Sequence, residues 1–447
     1  MMKGIATRAL VILLGLVFLL TSIPAGSAGA PVTITVTNRK GWRSTEGIKA
    51  NLPQFEKATG IKVNWIDIPP GELTAKTLAE LEARTGAFDV IMASVEFDLA
   101  AYYRYLIPLD EFIAKKWGSV ASFKRLISPE AARAIVWEGK VYYIPFHGNV
   151  QFLIYRKKLF EDPAERSAFK QRFGYDLPTP PKTIKELVDV AVFFTRPEKN
   201  LWGLGIPLGG KYPQHFLEHV MLGAGIDVVD LKTRKPDFAE GAKRDRAVEI
   251  AQFLFDLLYK YKVIPPGAKT MGHVEMREIW KLGQLAMAFS WWGDHWDKLT
   301  SPEFVSAVGE VGSAPFPQWP GGPPGRSGGR MSIWTVGIVG TTKNKDAAWK
   351  FIEWLVSEEN LQTEARTSGS ASHWIAVDKV SAERGWLAKG LVEALPKSVP
   401  PRLGFLKEGP EIVTAFIEEA QALTVASVSP KAMVDRLAKR IAEILKK

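Results

Sequence analysis

Between residues 32 and 105 the apolar pattern changes period again and again, and this alternation restricts the fold more than any other feature of the chain. In "VTITVTN" Val32, Ile34 and Val36 alternate with Thr33, Thr35 and Thr37, the period of a strand with one face against a core. Leu52, Phe55 and Ala58 then fall at helical spacing and stop at Gly60, a residue suited to a left-handed helix terminus. Pro53 inside that run predicts a kink or a late helix start, because proline removes a backbone donor. "IKVNWIDI" (61–68) and "FDVIMAS" (88–94) read as further strands, and "GELTAKTLAELEART" and "DLAAYYRYL" as helices. Strand and helix in alternation build a parallel sheet covered on both faces. Ligands of such sheets bind outside the carboxyl ends of the strands, which singles out loops 38–45 and 94–98. Trp42, Arg43 and Glu96 lie there.

The second half reads as more of the same class. A Gly/Pro-rich stretch, "APFPQWPGGPPGRSGGR" (314–330), has to be loop. After it "IWTVGIVG" is strand-like, and Ala348, Phe351, Ile352, Leu355 and Val356 trace one face of a helix. One more helix is expected from Glu411 towards Val425. A last one opens at Ser429-Pro430, a cap and first-turn pair, with Val434, Leu437, Ile441 and Leu445 inward.

The first thirty residues carry Lys3 and Arg8, an apolar run from Ala9 to Leu20, and then Pro24 and small residues. That order is expected of a secretory leader, and the run is shorter than the ~17–25 residues of a spanning helix. Export to the periplasm or cell surface follows as an expectation. The absence of cysteine excludes disulfides, a thiol nucleophile and a lipid-modified cysteine anchor. The net charge of +10 falls by two when the leader's Lys3 and Arg8 are removed, and the remaining basic residues are dispersed among acidic ones. A solvated basic surface, rather than a nucleic-acid interface, is the expectation.

"AMAFSWWGDHW" (286–296) sets Trp291, Trp292 and Trp296 beside Asp294 and His295. Indole combines a large apolar face with an N–H that needs a partner, which suits the wall of a binding cleft. The segments "LPQFEKATGIKV" (52–63), "FDVIMA" (88–93), "LIPLDEFI" (106–113), "GKVYYIPFHGNVQFLIYRKKLF" (139–160), "PPKTIKELVDVAVFFT" (180–195), "LGQLAMAFSWW" (282–292) and "TTKNKDAAWKFIEWLVSEEN" (341–360) give the chain a likeness along essentially its whole mature length. In this order the segments resemble the extracellular solute-binding proteins of ATP-driven importers, specifically the sugar-binding cluster similar to maltose-binding protein.

The resemblance implies a periplasmic-binding-protein-like α/β fold, two α/β lobes joined by hinge crossings that close over one solute. Residues 31–146 and 292–338 would form the N-terminal lobe, and 147–291 and 339–447 the C-terminal lobe, after a leader of residues 1–30. The implied ligand is a carbohydrate or sugar-like polar solute, and the implied partners are the transmembrane permease subunits of the importer. A monomer is expected, with no cofactor, no metal and no enzymatic activity. Sugar rings offer C–H groups to aromatic planes while their hydroxyls need donors and acceptors. On that basis the expected ligand-binding residues are Trp42, Arg43, Glu96, His147, Asn149, Trp291, Trp292, Asp294 and Trp334.

Three other readings have sequence support. A secreted glycoside hydrolase would use two carboxyl groups about 5–5.5 or 6.5–9.5 Å apart, with Glu96 and Asp294 as the available pair. "HFLEH" (215–219) satisfies the H-x-x-E-H pattern of a zinc peptidase, against an ordinary amphipathic helix. Tyr142-Tyr143 offers paired tyrosines for ferric iron, but adjacent strand residues point apart.

Overall fold

The three strands expected from the period-two pattern form one edge of a twisted sheet. The computed structural model describes residues 31–41, 43–69, 72–96, 98–127, 129–291, 309–326, 329–368, 393–394 and 397–446, and the expected leader lies outside them. Strand β1 (Thr33–Arg39) pairs in parallel with β2 (Lys62–Ile68) and β3 (Val90–Ser94). Helix α1 (Arg43–Thr59) connects the first two and α2 (Leu73–Ala83) the next two. Pro53 does not split α1, which runs on through it, and the residue sits on the exposed side. Gly60 follows at φ +72°, the left-handed conformation that ends the helix. The expected helix over "DLAAYYRYL" is a short one, α3 (Leu99–Tyr102), continued by a 3-10 turn at Tyr103–Tyr105.

A thirteen-residue strand, β4 (Ile144–Arg156), carries the chain out of this sheet. Its first half, up to Val150, pairs with the strand Met331–Ile338, and its second half, from Gln151, pairs with Leu285–Trp291 and Val311–Ala314. The second sheet contains β5 (Trp202–Gly205), β6 (Leu285–Trp291) and β7 (Val311–Ala314), and β8 (Met331–Ile338) returns to the first. The first sheet therefore runs β2-β1-β3-β8-β4, and β4 is shared with the second. The first sheet is mixed rather than purely parallel, because β8 inserts antiparallel to both β3 and β4.

Helices cover each sheet. In the second lobe α4 (Tyr212–Gly223) packs on α5 (Gly241–Tyr259) and on α8 (Gly409–Thr424), and α9 (Pro430–Ile444) closes over α5 and α8. Ser429 caps α9 as expected, its hydroxyl accepting the Ala432 N–H at 3.2 Å. Between β8 and α8 lie α6 (Lys345–Leu355) and α7 (Glu358–Ser368), and both pack against α1 of the first lobe. Phe351 meets Phe55 edge-on at 5.8 Å. The assignment of 339–447 as a whole to the second lobe does not match this packing. The short turn after β8 leaves the chain on the face of the first sheet, where the apolar side of α6 finds α1.

Candidate functional site

Polar residues gather where β4 changes sheets. Each side of that point brings its own element. From the first lobe comes the turn after β3, which holds Glu96. From the second comes α4, whose residues from Pro213 to Gly223 are all buried although Gln214, His215, Glu218 and His219 form a polar stripe along it. Spacing of i, i+1, i+4 and i+5 puts those four on one face.

Arg330, at the entry to β8, joins the two sides. Its Nη2 donates to Glu96 Oε2 at 2.7 Å and its Nε to Glu218 Oε2 at 2.8 Å. Gln214 Nε2 donates to the same Glu218 oxygen at 2.7 Å. The backbone of Arg330 is held as firmly: its N–H donates to His219 Nδ1 at 3.2 Å, and its carbonyl accepts the Gln151 N–H at 3.2 Å. With Nδ1 accepting, His219 carries its proton on Nε2. All of these side chains are buried.

Several polar atoms in this cluster have no hydrogen-bond partner among the described residues. They are Glu96 Oε1, Gln151 Oε1 and Nε2, Gln214 Oε1 and His219 Nε2. Buried polar groups are otherwise almost always satisfied, so this set at the junction makes it the candidate ligand site. The set mixes acceptors with donors, and the fixed charge of Arg330 is already spent on two carboxylates.

Electrostatics agree with a dry site. Burial pushes the His219 imidazole down to about 3, with the Arg330 guanidinium adding to the effect. His147 is lowered to about 3 by burial and then by Arg39, and His273 to about 3 by burial and then by Lys211, Arg39, Arg330 and Arg277. Burial also lowers His215 well below its usual value, with Arg330 next in weight. The Glu218 carboxyl is raised by burial, against the pull of Arg330. Asp98, two residues beyond Glu96, is raised by burial to about 6, opposed by the Ser94 N–H and the Thr74 hydroxyl that it accepts at 2.7 and 2.8 Å.

The structure brings some of the expected residues to this junction. Trp334 lies opposite both Ser94 and His147, half-buried, with the Arg39 guanidinium 6.0 Å from its ring. A register shift between Trp334 and Thr335 leaves Phe146 as the extra residue of β4, a bulge of the kind that re-aims neighbouring side chains. Asn149 lies opposite Ser332, and its Oδ1 accepts the Val150 N–H at 2.9 Å. Trp291 ends β6 directly opposite Gln151, and Arg43 is the first residue of α1; neither side chain is described. Trp42, Trp292 and Asp294 lie outside the described residues.

Sequence reading missed Arg330, Gln151, Gln214, Glu218 and His219 as site residues. The polar stripe on α4 is the available signal, which the sequence offers as a peptidase motif or an ordinary amphipathic helix. Neither the peptidase reading of the histidines nor the iron-binding reading of the tyrosines finds its geometry among the described residues. Glu218 is engaged by Arg330 and His219 Nδ1 by a backbone amide, and among the described residues no group of three or more His, Asp or Glu is placed to hold a metal ion. The Tyr143 hydroxyl donates to the Leu99 carbonyl at 2.7 Å, while the Tyr142 ring turns to Tyr103 at 5.7 Å.

The lobes also touch through Leu403–Phe405, the 3-10 turn that leads into α8. A Cβ on Gly404 would fall 2.0 Å from the Val95 carbonyl oxygen, a backbone atom that cannot give way alone. Gly404→Ala is expected to destabilise the protein by about 1–3 kcal/mol, the usual cost of overpacking, read as a lower denaturation midpoint. A midpoint within error of the parent would mean that the turn does not seat on Val95.

Comparison with known proteins gives a consistent picture. The profile of the family described as bacterial extracellular solute-binding protein matches residues 41–362. A maltotriose-binding protein of Pyrococcus abyssi is 24% identical over 268 residues, which cover 57% of this chain and 48% of that protein. The match thus spans about half of that relative's length. A probable amino-acid ABC transporter periplasmic-binding protein of Sinorhizobium fredii is 22% identical over 404 residues, 88% of this chain and 85% of the relative. Among solved structures, maltose-bound MalE3 of T. maritima superposes with a TM-score of 0.74 at 22% identity, covering 92% of this chain and 99% of that one.

Proposed function

The chain belongs to the bacterial extracellular solute-binding proteins, and from that premise we propose that it captures a neutral, polyhydroxylated solute, a sugar or polyol, between its lobes and presents it to the permease of an ATP-driven importer. The relatives are binding proteins rather than enzymes. No helix among the described residues is long and apolar enough to cross a membrane. The periplasm or the cell surface is the proposed location, and the protein acts as a monomer that the permease reads as loaded or empty.

One observation carries the choice of ligand: the unpaired atoms at the junction are a mixed set of acceptors and donors, on Glu96, Gln151, Gln214 and His219. A hydroxyl both gives and takes a hydrogen bond, so a row of them can satisfy such a set. An amino acid would need a charged partner for each end, and the guanidinium of Arg330 is already shared by Glu96 and Glu218. A solute that contacts both lobes binds the closed form better than the open one, and this differential affinity keeps the lobes closed on it. Trp334, with Trp42, Trp291 and Trp292, is proposed to supply the apolar faces, and Arg43, His147, Asn149 and Asp294 further polar contacts. The proposed lobe boundary lies at Val150/Gln151, with 345–368 in the first lobe.

The test is a thermal-shift screen against erythritol, mannitol, maltose and maltotriose, with leucine and glutamate as the contrast. A solute at 100 times its Kd stabilises by about 2.7 kcal/mol. Stabilisation by a sugar or polyol alone is expected; stabilisation by the amino acids alone, or by none of these, overturns the reading. Gln151→Leu refines it. Without solute the variant is expected to be no less stable than the parent, since an unpaired buried amide is replaced by an apolar group. Its affinity for the solute found in the screen should fall about tenfold or more, the equivalent of one net hydrogen bond.

A further inference from the structure

We propose that the Arg330–Glu96 pair is a charge latch that holds the two lobes together before any solute arrives. The inference rests on the two-lobed fold behind the proposed function, and not on which solute is bound.

Arg330 travels with the second lobe. Its N–H is bound to His219 of α4, the preceding Gly329 N–H donates to the His219 carbonyl at 2.9 Å, and its Nε is bound to Glu218 on the same helix. Glu96 travels with the first lobe, in the turn after β3, where the Glu96 N–H donates to Ser94 Oγ at 3.1 Å and the Val95 N–H to the Ile333 carbonyl at 3.0 Å. Of the two ion pairs, Arg330–Glu218 stays within one lobe and Arg330–Glu96 crosses between them. The three side chains are 1%, 2% and 7% exposed, in the order Arg330, Glu218, Glu96.

The arrangement is asymmetric by construction. When the lobes rotate apart about Val150/Gln151, Arg330 keeps one carboxylate partner and Glu96 gains water. Opening therefore strands no buried charge, which is the condition for a buried pair to switch rather than to lock the fold permanently. Closing forms one charge-assisted hydrogen bond in a dry setting, worth about 10–100-fold in the ratio of closed to open molecules. That bias raises the fraction of protein already in the shape that grips the solute, and so the apparent affinity.

The chain has no cysteine, so two introduced ones can be labelled specifically. Lys57 on α1 and Lys170, both exposed, lie one on each lobe. With nitroxide labels on Lys57→Cys and Lys170→Cys, pulsed dipolar spectroscopy of the full, solute-free protein should give one distance distribution, that of the closed form. Adding Glu96→Gln is expected to move most of the population to a second distance. Adding Glu218→Gln instead should leave the first distance in place, because the pair that crosses the lobes is intact. An unchanged distribution in Glu96→Gln, or a parent protein already spread over both distances, overturns the latch. If Glu96→Gln does not fold, Arg330→Lys asks the same question, since an ammonium lacks the fork that reaches both carboxylates. A changed distribution supports the latch, and the parent's distribution retained in Arg330→Lys overturns it. No solute enters the measurement, so it can fail while the sugar or polyol reading stands, and the reverse.

Discussion

Arg330→Met is expected to lower the stability of the solute-free protein by about 3 kcal/mol, the low end of the range for breaking a buried ion pair by removing one partner. The cause is specific: Glu96 and Glu218 would remain in a dry site with no guanidinium between them. Rotation of the lobes lets water reach Glu96, which keeps the loss from going higher. Urea titration of parent and variant measures the difference. The triple variant Glu96→Gln, Glu218→Gln, Arg330→Met should recover most of it, because no charge is then left without a partner. A loss below about 1 kcal/mol for Arg330→Met alone would show that the cluster is wetter than its burial implies.

Acid should act on the same region, and the sign follows from the direction of the shifts. His147, His219 and His273 have folded pKa values of about 3, below the ordinary 6.5. The unfolded chain therefore binds more protons between those values, and stability is lost as pH falls through that window. His215 shifts in the same direction. Asp98 works the other way: its folded value of about 6 lies above the ordinary 3.8, so it favours the folded state as pH falls from 6 towards 3.8. Between pH 6.5 and 5.5 the three histidines alone outweigh Asp98 by about 2–3 kcal/mol. Urea midpoints at pH 7.5, 6.5 and 5.5 should fall in that order. A flat profile would mean that these imidazoles are not held neutral by burial, and would undercut the dry junction.

What could be seen in the sequence was what local pattern encodes. The period-two run at 33–37, the stop at Gly60 and the Ser429-Pro430 cap each act over a few residues, and each is where the spacing puts it. The insertion of β8 between β3 and β4 was not visible, because it depends on pairing segments some 180 to 250 residues apart, about which a periodicity says nothing. The double partnership of β4 was hidden for the same reason. Site residues divided along similar lines. Glu96 is a candidate from its loop at a strand end, and the structure places it at the junction beside Arg330. Arg330 was not a candidate, since it closes a Gly/Pro-rich loop where side chains are usually solvated. The α4 stripe was hidden by its composition: four polar residues on a helix predict an outer face, and only tertiary packing turns that face inward.

One strand, Ile144–Arg156, supplies hydrogen bonds to both sheets without a break. Neither half can melt alone without taking from the other a strand that it pairs with, so the two lobes are expected to denature in one cooperative step despite their size. With the proposed lobe boundary at Val150/Gln151, the same continuity would make the backbone there a spring as well as a joint, and its stiffness is expected to set how fast the lobes open and close.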